Sequence, residues 1–290
     1  MPLSIDSVPA SLAADQRLVF ENLVRIVTNT READRRYEKL NAAKGGKVIS
    51  VDIARFLAPE FRSWDGRIRH TPSTAVPAGA YAHDRLRREL SNRRHADGAS
   101  AKGDAARGKK PTLLISAGGA GSGKTTLLSE QTHNATLVFD NQLRSFARAD
   151  ELLALATSLS WNVHVLYVHR PFRDVIRGVL ERSQRTGRWN ALGELAQSHV
   201  DAQATIVRLR EKYKSKVLFR AYFNISKVFK GDRARGDRVY FFELAKGGCY
   251  HLPSAQALRL QVRSVVEASV KQGRISKEFA SLLLREDAAT

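Results

Sequence analysis

The sequence predicts an α/β fold: a P-loop NTPase/kinase-like parallel sheet flanked by helices, with further helices added at the N- and C-terminal ends. Three observations predict it. Residues 118–125 read Gly-Gly-Ala-Gly-Ser-Gly-Lys-Thr, a complete G-x-x-x-x-G-K-[ST] pattern, directly after the apolar run Pro-Thr-Leu-Leu-Ile-Ser at 111–116. Other apolar runs of strand length alternate with stretches of helical spacing, the pattern of a parallel sheet with helical crossovers. Two aspartates, Asp52 and Asp140, each stand as the first polar residue after such a run. Ligands of open α/β sheets gather at the carboxyl ends of the strands, where these aspartates and the glycine loop would lie.

Taken in order, residues 11–30 carry apolar side chains at helical spacing behind Ser11, which predicts a helix capped by that serine. A polar helix is expected at 31–43, ended by Gly45 and Gly46, and residues 47–51 read as a short buried strand ending in Asp52. A short helix over 53–57 runs up to Pro59. Pro72 and Pro77 interrupt 71–80, so the next helix is expected at 78–92. Small, charged and glycine-bearing residues at 93–110 predict a linker. Beyond the glycine loop, the pattern predicts a helix over 125–131, a strand over 135–139 ending in Asp140, and a helix over 142–159. A strand over 163–168 comes next, then a helix opened by Pro171 and ending near Thr186 and Gly187, and another helix at 191–213. Strands at 217–223 and 239–244 flank a turn-rich stretch at 230–237, and helices at 254–271 and 275–285 end the chain. The chain thus divides into an N-terminal part with an acceptor-side strand and helix (1–92), the linker (93–110), a phosphate-loop core with a lid (111–214), and C-terminal strands and helices that complete or extend it (215–290).

Composition bounds the function. With 43% hydrophobic residues in 290, the chain can bury a sizeable core. Its single cysteine, Cys249, excludes an intramolecular disulfide and a cysteine metal cluster, and fits a reducing setting. No run reaches the length of a membrane span, and the first ten residues lack a basic start followed by an apolar stretch, so a cytoplasmic location without membrane contact is expected. The net charge of +19 attracts polyanions. A solvated basic surface, an acidic protein partner and nucleic acid are the three readings of that charge. Aromatic residues are 8% of the chain and do not interleave with a basic stripe, which disfavours a base-stacking platform.

The glycine loop carries the chemistry. Backbone N–H groups over Gly118, Gly119, Ala120, Gly121, Ser122 and Gly123, with Lys124, Thr125 and Thr126 at the start of a helix, can cradle phosphate oxygens at the positive end of the helix dipole. Lys124 would reach the β- and γ-phosphates, and the Thr125 hydroxyl would hold Mg2+. Arg182 and Arg185 stand three apart on one helix face, and Arg188 follows Gly187, the pattern of an arginine-bearing lid that closes over a nucleotide. Asp52 and Asp140 can take a proton from an acceptor hydroxyl or hold Mg2+ through water, while a helix N-cap is the alternative use of each. The eight histidines form no metal-ligand motif. His164 and His169 read as contacts at the sheet edge, and His70 and His199 as further candidates for substrate contact.

From Leu114 to about Leu209 the chain resembles the zeta-toxin family of small P-loop kinases. The resemblance rests on the glycine loop, on Leu-Val-Phe-Asp at 137–140, on the strand and helix from Val165 to Arg182, and on Thr-Gly-Arg at 186–188 and Ser-His-Val at 198–200. It implies an ATP- (or GTP-) and Mg2+-dependent kinase that phosphorylates the 3′-hydroxyl of a UDP-amino sugar such as UDP-N-acetylglucosamine, restrained by an antitoxin protein. In that family a strand ending in the catalytic aspartate comes after the glycine loop. Here the matching element, Val48 to Phe61, precedes it, which implies a rearranged order. By this match Asp52 is the base, Asp140 a substrate-binding acid in place of the family's usual glutamate, and Arg182 the lid arginine on the γ-phosphate. The family's second lid arginine has no match at its spacing, and Arg185 or Arg188 takes its place. Two other classes remain: a nucleic-acid-associated P-loop ATPase or binding protein, and an interaction protein that keeps nucleotide binding alone.

Overall fold

The computed structural model describes residues 8–92, 110–190, 192–224, 237–239, 254–278 and 280–281. Strands Val48–Ser50 (β1), Thr112–Ala117 (β2), Leu137–Asp140 (β3), Asn162–His169 (β4), Leu218–Phe223 (β5) and Asp237–Val239 (β6) form one sheet in the order β1-β3-β2-β4-β5-β6. The first five are parallel and β6 returns antiparallel. The helices are Ala14–Thr28 (α1), Thr30–Glu38 (α2), Val51–Ala54 (α3), Trp64–Ser91 (α4), Lys124–Gln131 (α5), Phe146–Ser158 (α6), Phe172–Thr186 (α7), Leu192–Tyr213 (α8) and Ala255–Lys271 (α9). None of the described helices is long and apolar enough to cross a membrane.

Side chains alternate across a strand, and the core follows that alternation. Leu113, Ile115, Leu137, Phe139, Val163 and Val165 point to one face and pack against Leu86 of α4, Leu153 of α6 and Leu209 of α8. Leu114, Val138 and Leu166 point to the other, where Leu128 of α5 and Tyr222 of β5 cover them. Burial on both faces is why the central strands read as nearly continuous apolar runs. Separate apolar clusters join α7, α8 and α9, and join α1, α2 and α4.

Several expectations are corrected. The predicted break at 71–80 is absent: α4 runs as one helix of 28 residues through Pro72 and Pro77. A proline leaves the carbonyl four residues back without its N–H partner. For Pro72 that carbonyl is Ile68 O, and the Trp189 indole takes it at 2.9 Å. Thr71, Ser73 and Thr74 return their hydroxyls to the Arg67 and His70 carbonyls of the same stretch. At α1, Ser11 does not cap; the helix begins at Ala14, and the Ala13 N–H donates to Gln16 Oε1 at 3.1 Å. The helix expected over 31–43 ends at Glu38 and gives way to a 3-10 turn, Asn41–Ala43. α6 starts at Phe146 rather than 142, because Leu143 adopts φ 52 and Ser145 caps the helix by accepting the Arg148 N–H. β1 stops at Ser50, so Asp52 lies in the first turn of α3, its N–H donated to Ser50 Oγ at 3.2 Å. The expected linker 93–110 up to residue 109, the turn at 230–236, residues 240–244 of the last expected strand, Cys249 and residues 282–285 of the last expected helix lie outside the described residues.

β1 is a three-residue edge strand, and such a strand needs help to hold its register. On its inner side it pairs with β3. On its outer side the buried Tyr37 hydroxyl donates to Val48 O at 3.0 Å and accepts the Ser50 N–H at 2.9 Å. Burial pushes the Tyr37 pKa well up, so the hydroxyl stays protonated. The Arg85 guanidinium lies over the Tyr37 ring at 5.0 Å. Arg85, 1% exposed, is itself held by Asp34 at 3.1 Å and Glu38 at 2.8 Å. A buried charge of this kind is tolerated only when paired. Tyr37→Phe leaves Val48 O and Ser50 N–H without that partner and should cost roughly 1–3 kcal/mol, read as a lower urea midpoint at unchanged m-value.

Candidate functional site

The loop between β2 and α5 takes its shape from glycine. Gly118, Gly121 and Gly123 have φ of 130, 74 and 99, and Gly123 is the N-cap of α5. Gly119 has a second reason: a Cβ there would run into the His199 ring. Neighbouring elements brace the loop. Ala120 N–H donates to Ser198 Oγ at 3.2 Å, and Ala120 O accepts from His199 Nε2 at 2.9 Å. A carbonyl can only accept, so Nε2 carries the proton. Burial holds His199 neutral, with its pKa lowered to about 4. Gly121 O accepts from Arg170 Nη1 at 3.2 Å, and Ser122 O from Asn224 Nδ2 at 2.9 Å. Lys124, the first residue of α5, donates from Nζ to Gly118 O at 2.9 Å and Gly119 O at 2.8 Å. Burial lowers its pKa to about 8, against the pull of Asp140 and Asp52.

Asp140 ends β3 directly opposite Ser116 of β2. Its Oδ1 accepts from Ser116 Oγ at 2.7 Å and its Oδ2 from Thr125 Oγ1 at 3.1 Å. The Thr125 hydroxyl and the Asp140 carboxylate are therefore neighbours, a pair of hard oxygen donors of the kind Mg2+ prefers. Thr126 is exposed and lines the same cavity.

Asp52 reaches this place from β1, because Ser50 pairs with Asp140 in the parallel register. Burial raises the Asp52 pKa, but Arg188, Arg55 and Arg182 outweigh it and hold the carboxyl well below the usual range. Arg188 is ion-paired with Asp52. The segment that carries Arg188 is tied down. Gly187 closes α7 with φ 72, the Trp64 indole donates to Gln184 O at 3.0 Å, Arg67 donates to Thr186 O, and Trp189 donates to Ile68 O. Arg182, half-buried, donates to Asn190 Oδ1 at 3.0 Å. Arg185 is exposed and lines the cavity.

These groups surround one cavity of about 710 Å³, lined by eight cationic side chains (Arg55, Lys124, Arg144, Arg148, Arg170, Arg182, Arg185 and Arg188) against two carboxylates, Asp52 and Asp140. Fields of this sign concentrate phosphate-bearing ligands. Lys124, Asp52, Asp140, Arg182, Arg185 and Arg188 all line it; His70 and His199 do not. His164 and His169 lie on β4, and His169 Nδ1 accepts from Gln203 at 3.0 Å.

Several residues of the site escape a sequence reading. Arg55 sits one helical turn after Asp52, Ser116 is the penultimate residue of β2, and Trp189 and Asn190 come after Gly187. Asn224 had a readable signal: like Asp140, it is the polar residue that ends an apolar strand. Ser198 and His199 were visible in the Ser-His-Val match, and His199 as a candidate for substrate contact, but both brace the glycine loop at Ala120 instead.

No protein-family model and no curated protein matches the chain. Among solved structures, the crystal structure of AvrRxo1-ORF1:AvrRxo1-ORF2 with sulphate ions is similar over 59% of this chain and 73% of that one, at 12% identity and a TM-score of 0.41. The native AvrRxo1-ORF1:-ORF2 complex covers 63% of this chain and 80% of its own, at 10% identity and a TM-score of 0.42. The same pair with ATP covers 61% and 70%, at 13% identity and a TM-score of 0.39. The fold assignment rests on the strand order and the glycine loop.

Lys124 must carry its proton to pair with phosphate. With its pKa lowered to about 8, affinity for a nucleoside triphosphate should be flat below that pH and fall above it, by up to about tenfold per pH unit. Calorimetric titration between pH 6.5 and 9.5 reads this out; an affinity that rises through pH 8 would contradict it.

Proposed function

We propose that the chain is an ATP-dependent kinase of the zeta-toxin type, transferring a γ-phosphoryl group to the hydroxyl of a UDP-amino sugar, with UDP-N-acetylglucosamine as the reference acceptor. The observation that carries this reading is the meeting of Asp52 with Lys124, Thr125 and Arg182 in one strongly cationic cavity, although Asp52 lies on the far side of the glycine loop in sequence. The resemblance over 114–209 supplies the acceptor class, and the charge of +19 favours an acidic protein partner as antitoxin.

In this reading the loop N–H groups and Lys124 bind the β- and γ-phosphates of ATP or GTP. Thr125 and Asp140 would hold Mg2+, which neutralises charge on the phosphates when bound. Asp140 thereby sits on the metal side of the site through its bond to Thr125, and Asp52 is left to face the acceptor. The acceptor oxygen forms its bond to the γ-phosphorus as the bond to the β–γ bridging oxygen breaks. The nucleoside diphosphate leaves with that electron pair, and the hydroxyl proton passes to Asp52. A carboxylate held well below its usual pKa is a weak base, which suits a loose transition state in which orientation counts for more than early deprotonation. Arg182 and Arg188 stabilise charge on the migrating group, and Arg188 exchanges its Asp52 partner for phosphate oxygen as substrates enter.

Mass spectrometry of a UDP-sugar pool incubated with protein, ATP and Mg2+ tests this. Wild type should yield phosphorylated UDP-N-acetylglucosamine. Lys124→Ala should lose both product and nucleotide affinity. Asp52→Asn should keep nucleotide affinity and lose about 10²–10⁴ in turnover. Absence of any sugar product, together with ATP hydrolysis stimulated by DNA or RNA and steeply salt-dependent binding, would move the assignment to a nucleic-acid-associated ATPase.

A further inference from the structure

A second cavity, of about 410 Å³, opens beside the first on the α5 face of the sheet, between α5, β1, β3 and the 3-10 turn Asn41–Ala43. Its walls are apolar: Leu40, Val48, Ile53, Phe56, Leu128 and Val138. Leu128 and Val138 are buried, while Leu40, Val48, Ile53 and Phe56 are only half-buried and turn apolar surface to the space. Four charged groups line it, and Lys44 is exposed. Lys44 Nζ donates to Thr132 Oγ1 at 3.3 Å, Arg188 pairs with Asp52, and Asp140 accepts from Ser116 and Thr125. The two cavities share five residues: Ser50, Asp52, Thr125, Asp140 and Arg188. Asp52 is thus the wall between a cationic space and an apolar one.

Resting on the kinase reading above, we infer that the acceptor is divided between the two cavities, and that the smaller one takes its uncharged, hydroxyl-bearing ring. A phosphate taken in among these apolar walls would lose its water, which is costly, and the smaller cavity offers two lining cations, Lys44 and Arg188, where the larger offers eight. An uncharged ring buries its apolar face there without that cost and presents a hydroxyl at the polar end, to Asp52. The acceptor's anionic part then lies in the cationic cavity with the donor phosphates. The volume falls within the range of small-molecule sites. For a UDP-amino sugar this orients the molecule: acylated sugar ring in the apolar cavity, diphosphate outside it. The structure thereby assigns a selectivity that the glycine loop cannot provide, against acceptors with a charge on the ring that is phosphorylated.

Ala42 and Ser129 line the cavity from opposite walls and are both exposed, so a larger side chain at either fills the space without entering the core. Ala42→Trp and Ser129→Trp should each raise the acceptor KM about tenfold or more and leave the ATP KM within about twofold, a split that a general folding defect does not produce. Wild type should use UDP-glucuronic acid, whose ring bears a carboxylate, at least about tenfold less efficiently than UDP-N-acetylglucosamine. Unchanged acceptor KM in both tryptophan variants, or equal use of the two sugars, overturns the inference and leaves the kinase reading standing. Saturation-transfer NMR with the uncharged methyl glycoside of N-acetylglucosamine needs no turnover and separates the two failures. A signal present in wild type and in Lys124→Ala but lost in both tryptophan variants upholds the cavity even where no sugar is phosphorylated. No signal in wild type refutes it.

Discussion

The site depends on one constraint, the parallel register of β1, β3 and β2. Ser50, Asp140 and Ser116 pair across the three strands and end them at one level. The segments leaving the three strands therefore emerge side by side: Asp52 from β1, the Asn141 turn from β3, and the glycine loop from β2. A one-residue slip of β1 would exchange its two faces and carry Asp52 away from Lys124. Three residues of edge strand are little to hold that register, and the Tyr37 hydroxyl, bonded on the free edge to Val48 O and Ser50 N–H, supplies the missing pairing. Arg85 over the Tyr37 ring, with Asp34 and Glu38 around it, ties this clasp to α2 and α4. The N-terminal helices thus bear on the chemistry through backbone geometry.

Electrostatics then divide the work between the two carboxylates. Asp140 is satisfied by hydroxyls, Ser116 and Thr125, and Asp52 by guanidinium groups, Arg188 above all. A carboxylate bonded to hydroxyls offers hard oxygen donors of the kind Mg2+ prefers; one surrounded by arginines is held ionised. Burial tells in the opposite direction on Lys124, lowering its pKa to about 8. Lys124 thus keeps its proton at neutral pH with a smaller margin than a free lysine.

Much of this was legible in the sequence, and the parts that were share a cause. The glycine loop, the strands around it and the helix stop at Gly187 arise from residue types within a few positions of one another, where backbone sterics and hydrophobic period decide the outcome. Asp52 and Asp140 were visible as polar residues ending apolar runs. One error falls where a local rule met a distant partner, and others where local turn chemistry was misjudged. Pro72 should have broken α4, and the carbonyl it orphans is taken by Trp189, more than a hundred residues further along the chain. The helix after β3 should have begun at 142, and instead Leu143 turns with positive φ while Ser145 provides the cap.

The sequence by itself determined that a phosphate loop stands between a buried strand and a helix, and that acids and arginines recur at strand and helix ends around it. Those are short-range facts, and steric and hydrophobic terms act at short range along the chain. Only the tertiary structure decided which acid faces which cation or hydroxyl, and which partner each arginine takes: Asp140 to Thr125, Asp52 to Arg188, Arg182 to Asn190. It alone showed that Asp52 separates a cationic cavity from an apolar one. The reason is physical. Each of those contacts is made between side chains on different elements, and their meeting is fixed by sheet register and helix packing, which depend on the whole core closing at once.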